Sequence, residues 1–208
     1  MKPKRIAIGG SAANPPQIGH LALLNALVNC NMFDSVIWIP SGGRTDKQFG
    51  IEPDHRVAMT ELTFPDILRI RPGATLTIKY DDVYGKNTPT IERLERLQKK
   101  YPKAEIFWYT GVDSVVPRKR FDGKCEIEGK WIRGNELFKK WKFIVFPRVG
   151  YKMPTNLPSN FQIINIKLPN VASSQIRKLI ANGKPFEHLV TAGVAEYIKR
   201  YKLYQGGG

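Results

Sequence analysis

The chain has 208 residues, 42% of them hydrophobic and 25% charged, a composition that suits one folded globular domain and excludes wholesale disorder. No apolar run approaches the roughly 18 to 20 residues that span a bilayer, and the opening MKPKRIAIGG enters a strand-like run without a cleavable signal pattern, so a cytoplasmic address is expected. A net charge of +15 calls for anionic partners such as nucleic acid, an anionic membrane surface or phosphorylated small molecules. The basic residues are dispersed, with local clusters at 99–100, 118–120 and 139–140, and that spread favours a solvated face over nucleic-acid binding.

Apolar, β-branched runs alternate with segments of helical period. A strand is predicted at Arg5 to Gly9, ending in Gly-Gly, and Leu21, Leu24, Leu27 and Val28 then recur at helical spacing after Gly19 and His20. Ser35 to Ile39 is a second apolar run, closed by Pro40. A helix is predicted from Pro53 to Leu62, a strand at Leu76 to Lys79, a helix from Pro89 to Lys100 and a strand at Glu105 to Tyr109. Phe143 to Phe146 and Phe161 to Ile166 add two apolar runs, and helices follow at Ser173 to Ala181 and Val190 to Tyr201. Strands separated by helical segments of this length require crossover connections, so the fold class is α/β, a doubly wound parallel sheet in a single domain covering 1–208. Such sheets bind ligands at the carboxyl ends of their strands, which directs attention to the loops after Gly9, Ile39, Tyr109 and Ile166. Residues 117–134, dense in charge and glycine, read as an inserted surface loop or short hairpin, and 205–208 as a flexible end. Cys30 and Cys125 are too few and too isolated for a disulfide framework or a tetrahedral zinc site.

The first loop, Gly9 to His20, lies between a strand and a helix. Glycines admit close backbone approach, and a helix start offers free N–H groups to phosphate. The loop is neither G-x-G-x-x-G nor a Walker loop; taken alone, a tight glycine turn with a capping histidine explains it equally well. The segment Asn170-Val171-Ala172-Ser173-Ser174-Gln175-Ile176-Arg177 has a related character: Ser173 suits a helix cap, and Arg177 one turn later suits a forked contact to phosphate oxygens.

Together these segments resemble the nicotinate or nicotinamide mononucleotide adenylyltransferase branch of the H-x-G-H nucleotidyltransferase superfamily, whose Rossmann-like fold agrees with the α/β reading. Gly9, Gly10, Ser11, Asn14, Pro15, Gly19 and His20 match the first motif, with Ala12-Ala13 in place of one aromatic residue and Gln17 in place of the first histidine. Asn170 to Arg177 resembles the family's Ile-Ser-Ser-Thr-x-Ile-Arg. Between them, Asp34 to Pro40 resembles the family's second strand, Lys47 its loop lysine, and His55 to Met59 its Arg-x-x-Met helix. Thr88-Pro89-Thr90 stands where the family has Ser-Tyr-Thr, Gly111-Val112-Asp113-Ser114 resembles Gly-x-Asp-Ser, Trp131 resembles a substrate-stacking tryptophan, and the segment from Trp141 to Arg148 resembles the Val-Val-x-x-Arg strand.

The resemblance implies transfer of AMP from ATP to the 5′-phosphate of a pyridine mononucleotide, with Mg2+ accompanying the triphosphate and few protein ligands to it. It casts His20, Arg177 and Lys47 in catalysis, and Gly9, Gly10, Ser11, Asn14, Gln17, Gly19, Gly111, Asp113, Ser173 and Ser174 in ATP binding. Thr88, Thr90, Trp131 and Arg148 would face the acceptor. Plainer readings stand beside these: Asp113 as a helix cap, Lys47 as one more surface lysine, Trp131 as a core residue. A sibling enzyme using phosphopantetheine or CTP, and a non-catalytic basic relative that binds nucleic acid, are the competing functions. The sequence leaves the choice of nicotinate or nicotinamide, and the oligomeric state, open.

Overall fold

The computed structural model describes residues 2–43, 50–64 and 70–206. Six strands, β1 (Arg5–Ser11), β2 (Ser35–Pro40), β3 (Thr75–Ile78), β4 (Glu105–Gly111), β5 (Lys142–Phe146) and β6 (Phe161–Ile163), form one sheet in the order β3-β2-β1-β4-β5-β6. Every neighbouring pair is parallel. The order reverses at β1, so a crevice opens between the carboxyl ends of β1 and β4.

Among the described residues, α1 (Ile18–Asn29), α2 (Pro53–Thr63), α3 (Thr90–Lys100), α4 (Glu126–Lys130) and α5 (Gly134–Lys140) lie between strands, and α6 (Ser173–Ala181) and α7 (Ala192–Arg200) follow the last one. Alternation along the strands divides the core. Ile6, Ile8, Ile37 and Ile39 pack with Ile91, Leu94 and Leu97 of α3 on one face, while Ala7, Val36 and Trp38 pack with Leu23, Leu24, Leu27 and Val28 of α1 on the other. Each such Leu, Ile or Val side chain, fully buried, contributes about 1.5 to 3 kcal/mol. A third cluster joins Met59 of α2 to Ile176 and Ile180 of α6 and to Val194 and Ile198 of α7, seating the C-terminal helices against the region that follows β2. No helix of the described residues is long and apolar enough to cross a membrane.

Several sequence expectations differ from the structure. The run Phe161 to Ile166 is a strand only to Ile163, because the chain bends after Ile164 donates to Val145 O and Ile166 then donates to Ile164 O. Val190 is extended and the last helix begins at Ala192, a separate 3-10 turn occupying Glu187–Leu189. Strands β1 and β4 outrun their predicted ends, carrying Gly10, Ser11 and Gly111 within the sheet. The segment 117–134 is neither a surface loop nor a hairpin. It forms a 3-10 turn at Lys119–Phe121 and then α4, because Cys125 and Ile127, sparse among the charges, are buried in the core beside Val112 while Arg118 and Arg120 pair outward with Glu126. Residues 207–208 of the expected flexible end lie outside the described residues.

Candidate active site

Gly10 sets the geometry of the first loop. A Cβ there would stand 1.7 Å from the Ile39 carbonyl oxygen, so only glycine lets β1 run beside β2 to its end. The loop then turns through Ala13, whose φ is +45°, and the cis Asn14-Pro15 bond to reach α1. Gln17 caps α1: its side-chain oxygen accepts from Gly19 N, and its own backbone N–H donates to His20 Nδ1 at 3.1 Å.

That last bond decides the state of His20. A backbone N–H can only donate, so Nδ1 is an acceptor and the ring proton sits on Nε2, 3.0 Å from Ser11 Oγ. Ser11 Oγ also accepts from Ala13 N at 3.1 Å, so the hydroxyl keeps its own proton for a further partner. His20 is buried, edge-on to Trp38 at 5.2 Å, and burial followed by the nearby Arg148 cation lowers its pKa to about 3. His20 is a neutral N–H donor at any working pH.

The segment from the far end of the chain docks on this loop. Ser173 Oγ donates to Pro15 O at 2.8 Å, Arg177 Nη1 to Asn14 O at 2.7 Å, and Gln17 Nε2 to Val171 O at 3.1 Å. Ser173 is therefore not the helix cap expected from sequence: its hydroxyl is drawn to Pro15, and Ala172, extended at φ −117°, takes the cap position. Ser173 and Arg177, one turn apart, share the face of α6 that meets the loop. Ser174 and Lys178 share the next face and line a surface cavity of about 400 Å³ with Lys184.

Arg56 holds the same loop from α2. It is 1% exposed and donates from Nε to Ala12 O at 3.1 Å and from Nη2 to Ser41 O; burial lowers its pKa to about 10. In the sequence Arg56 stands out only through the Arg-x-x-Met pattern, which carries no sign of its buried grip on Ala12. At the end of β4, Gly111 leaves room for Asp113, whose carboxylate pairs with Arg148 at 3.5 Å just past β5. Arg118 donates to the Asp113 carbonyl, a contact with no signal in the sequence.

The remaining candidates lie in two other groups. Thr88 is spent on buried Asp82, which accepts from Thr88 N at 2.8 Å and Thr88 Oγ1 at 2.7 Å and pairs with Arg93 of α3, the helix that Thr90 opens. Gly43 exchanges backbone hydrogen bonds with Gly85 and Asn87, joining the loop after β2 to this one. Trp131 is half-buried and meets Trp108 edge to face, ring centroids 6.1 Å apart. Lys47 lies outside the described residues.

Among the described residues no three His, Cys, Asp or Glu side chains gather as a metal site. The crevice instead presents N–H donors of a helix start, a neutral imidazole and the guanidinium groups of Arg148 and Arg177, a chemistry suited to polyphosphate.

No protein-family model matches the chain. The protein named "Probable nicotinate-nucleotide adenylyltransferase" in Carboxydothermus hydrogenoformans is 30% identical over 212 residues, covering 97% of this chain and 98% of that protein. Its namesake in Synechococcus sp. is 28% identical over 214 residues, covering 98% of each. Plasmodium falciparum nicotinic acid mononucleotide adenylyltransferase complexed with NaAD shares the fold, with a TM-score of 0.81 at 23% identity over 97% of both chains.

Proposed function

The chain belongs to the nicotinate-nucleotide adenylyltransferase family, and from that premise we propose that it transfers AMP from ATP to the 5′-phosphate of a pyridine mononucleotide, with the nicotinate form as the acceptor its relatives' names favour. A phosphate oxygen of the mononucleotide attacks the α-phosphorus of ATP. The bond from that phosphorus to the bridging oxygen breaks, and pyrophosphate leaves with the electron pair. No covalent enzyme intermediate is needed, so the protein's work is alignment and stabilisation of charge.

The observation that carries this reading is the docking of α6 on the first loop through Ser173, Arg177 and Gln17, beside a neutral His20. Two segments more than 150 residues apart thereby build one crevice with donors on both sides. Gly9, Gly10, Gly19 and Asn14 let the triphosphate approach backbone N–H groups. His20 Nε2–H exchanges Ser11 for a phosphate oxygen, and the guanidinium nitrogens of Arg177 not bound to Asn14 meet the leaving pyrophosphate with the helix start at Ser173 and Ser174. Gly111 and Asp113 receive the ribose. Trp131 stacks on the pyridine ring, and Arg148, Thr88 and Thr90 border the acceptor. Lys47 is assigned to the phosphates on resemblance alone. Magnesium enters as a companion of ATP, held by phosphate oxygens and water.

The test is incubation with magnesium, ATP and either nicotinate or nicotinamide mononucleotide, measuring dinucleotide and pyrophosphate. Product from the wild type that is largely lost in His20→Ala supports the reading, and no product with either acceptor overturns it.

A further inference from the structure

The last turn of the chain enters the nucleotide loop. After α7 the backbone makes a C-terminal cap in which Lys202 N donates to Lys199 O and Leu203 N to Ile198 O, with Lys202 at φ +50° where glycine is usual. Tyr204 follows at φ +62°, a second residue in the left-handed region. Two such residues around one leucine persist only where the surroundings over-determine them. Leu203 is buried against Met59 and Ile176, and Tyr204 is turned back so that its hydroxyl lies 2.6 Å from Asn14 Oδ1.

We propose that Tyr204 is a positioning residue of the nucleotide site: its hydroxyl donates to Asn14 Oδ1, fixes the Asn14 amide, and makes the C-terminal turn a working part of the loop that binds ATP. Tyr204 meets Asn14 at its side chain and Arg177 at its carbonyl. Burial raises the Tyr204 phenol further above its ordinary range than the neighbouring Arg177 and Arg56 cations lower it, so the hydroxyl stays a donor wherever the protein is folded. The inference rests on the proposed function for its kinetic readout and on ATP binding for an independent one.

The experiment compares wild type, Tyr204→Phe, Asn14→Ala and the double variant in dinucleotide formation, in ATP binding by calorimetry, and in thermal melting. Tyr204→Phe keeps the ring and Leu203 but takes one partner from the buried Asn14 amide, so melting should fall by only a few degrees while turnover or ATP affinity falls about five- to tenfold. The double variant should lose no more than Asn14→Ala, the signature of two residues acting as one unit. Wild-type turnover and ATP affinity in Tyr204→Phe would overturn the proposal. So would losses that simply multiply in the double variant. If the wild type makes no dinucleotide, the functional reading fails, and non-additive loss of ATP affinity still decides the positioning.

Discussion

The backbone N–H of Gln17 donates to Nδ1 of His20 at 3.1 Å, and this single bond specifies which ring nitrogen carries the proton. Burial, and after it the Arg148 cation, hold the folded-state pKa near 3, against about 6.5 in an unfolded chain. Between those values the unfolded state binds a proton that the folded state refuses. Stability from this residue is therefore complete above pH 6.5 and declines as pH falls toward 3, by up to about 1.4 kcal/mol per unit. Melting temperature against pH should fall less steeply in His20→Gln than in wild type over that window. An NMR titration of His20 near pH 6.5 would contradict the assignment, as would an acid limb of activity that disappears in a variant retaining turnover.

Gln17 uses both ends of its amide, one on Gly19 of its own helix and one on Val171 ahead of α6. Gln17→Ala removes a helix cap and one tie between the two halves of the crevice, at a cost of about 1 to 2 kcal/mol. The KM for ATP should rise more than the KM for the mononucleotide. Equal changes in both would assign Gln17 to stability alone.

How much of this was legible in the sequence differs by element. Helix α6 has the bounds expected from sequence, Ser173–Ala181, and the structure shows Ile176 and Ile180 on its buried face. The sheet was legible chiefly because β2, β4 and β5 carry near-continuous apolar runs, as buried parallel strands require, while the edge strands β3 and β6 are shorter and more polar. Helix α4 was missed because two buried residues, Cys125 and Ile127, were outweighed by the charges around them. At the candidate site, Gly10, His20 and Arg177 are singled out by the family resemblance, and the structure brings their two segments together. Tyr204 and Asp82 are not singled out: one reaches Asn14 across 190 residues of sequence, and the other looks like any acidic turn until its burial is known.

Asp82 is 2% exposed and holds Thr88 by both its backbone and its hydroxyl while pairing with Arg93. Asp82→Asn keeps the shape but turns an N–H2 group toward donors and leaves Arg93 without its counter-charge. A loss of about 2 to 4 kcal/mol is expected, which for a chain of this size lowers the melting temperature by about 5 to 15 °C. The KM for the mononucleotide should rise as the Thr88 loop loosens. A melting curve unchanged within a degree would refute the buried role.

Gly10 and Gly85 make a matched pair. A methyl at Gly10 meets the Ile39 carbonyl at 1.7 Å, whereas one at Gly85 meets nothing within 4 Å. Because the obstacle at Gly10 is backbone, β1 and β2 must separate to admit it. Gly10→Ala should cost about 4 kcal/mol or more, or yield no folded protein, while Gly85→Ala stays within about 0.5 kcal/mol. Chemical denaturation of the two variants tests this, and a Gly10→Ala protein as stable as Gly85→Ala would disprove the close approach.

Trp131 separates packing from recognition. Its ring lies against Trp108 and the core side of the sheet, yet the residue is only half-buried, which leaves aromatic surface for a planar ligand. Trp131→Ala should cost about 1 to 3 kcal/mol from lost packing and raise the KM for the mononucleotide with little change in that for ATP. Trp131→Phe retains an aromatic platform, so it should recover most of the mononucleotide affinity even where stability stays reduced. If Phe restores stability but not the KM, stacking is not what the ring supplies. If neither variant changes the KM, Trp131 belongs to the core and the acceptor ring lies elsewhere in the crevice.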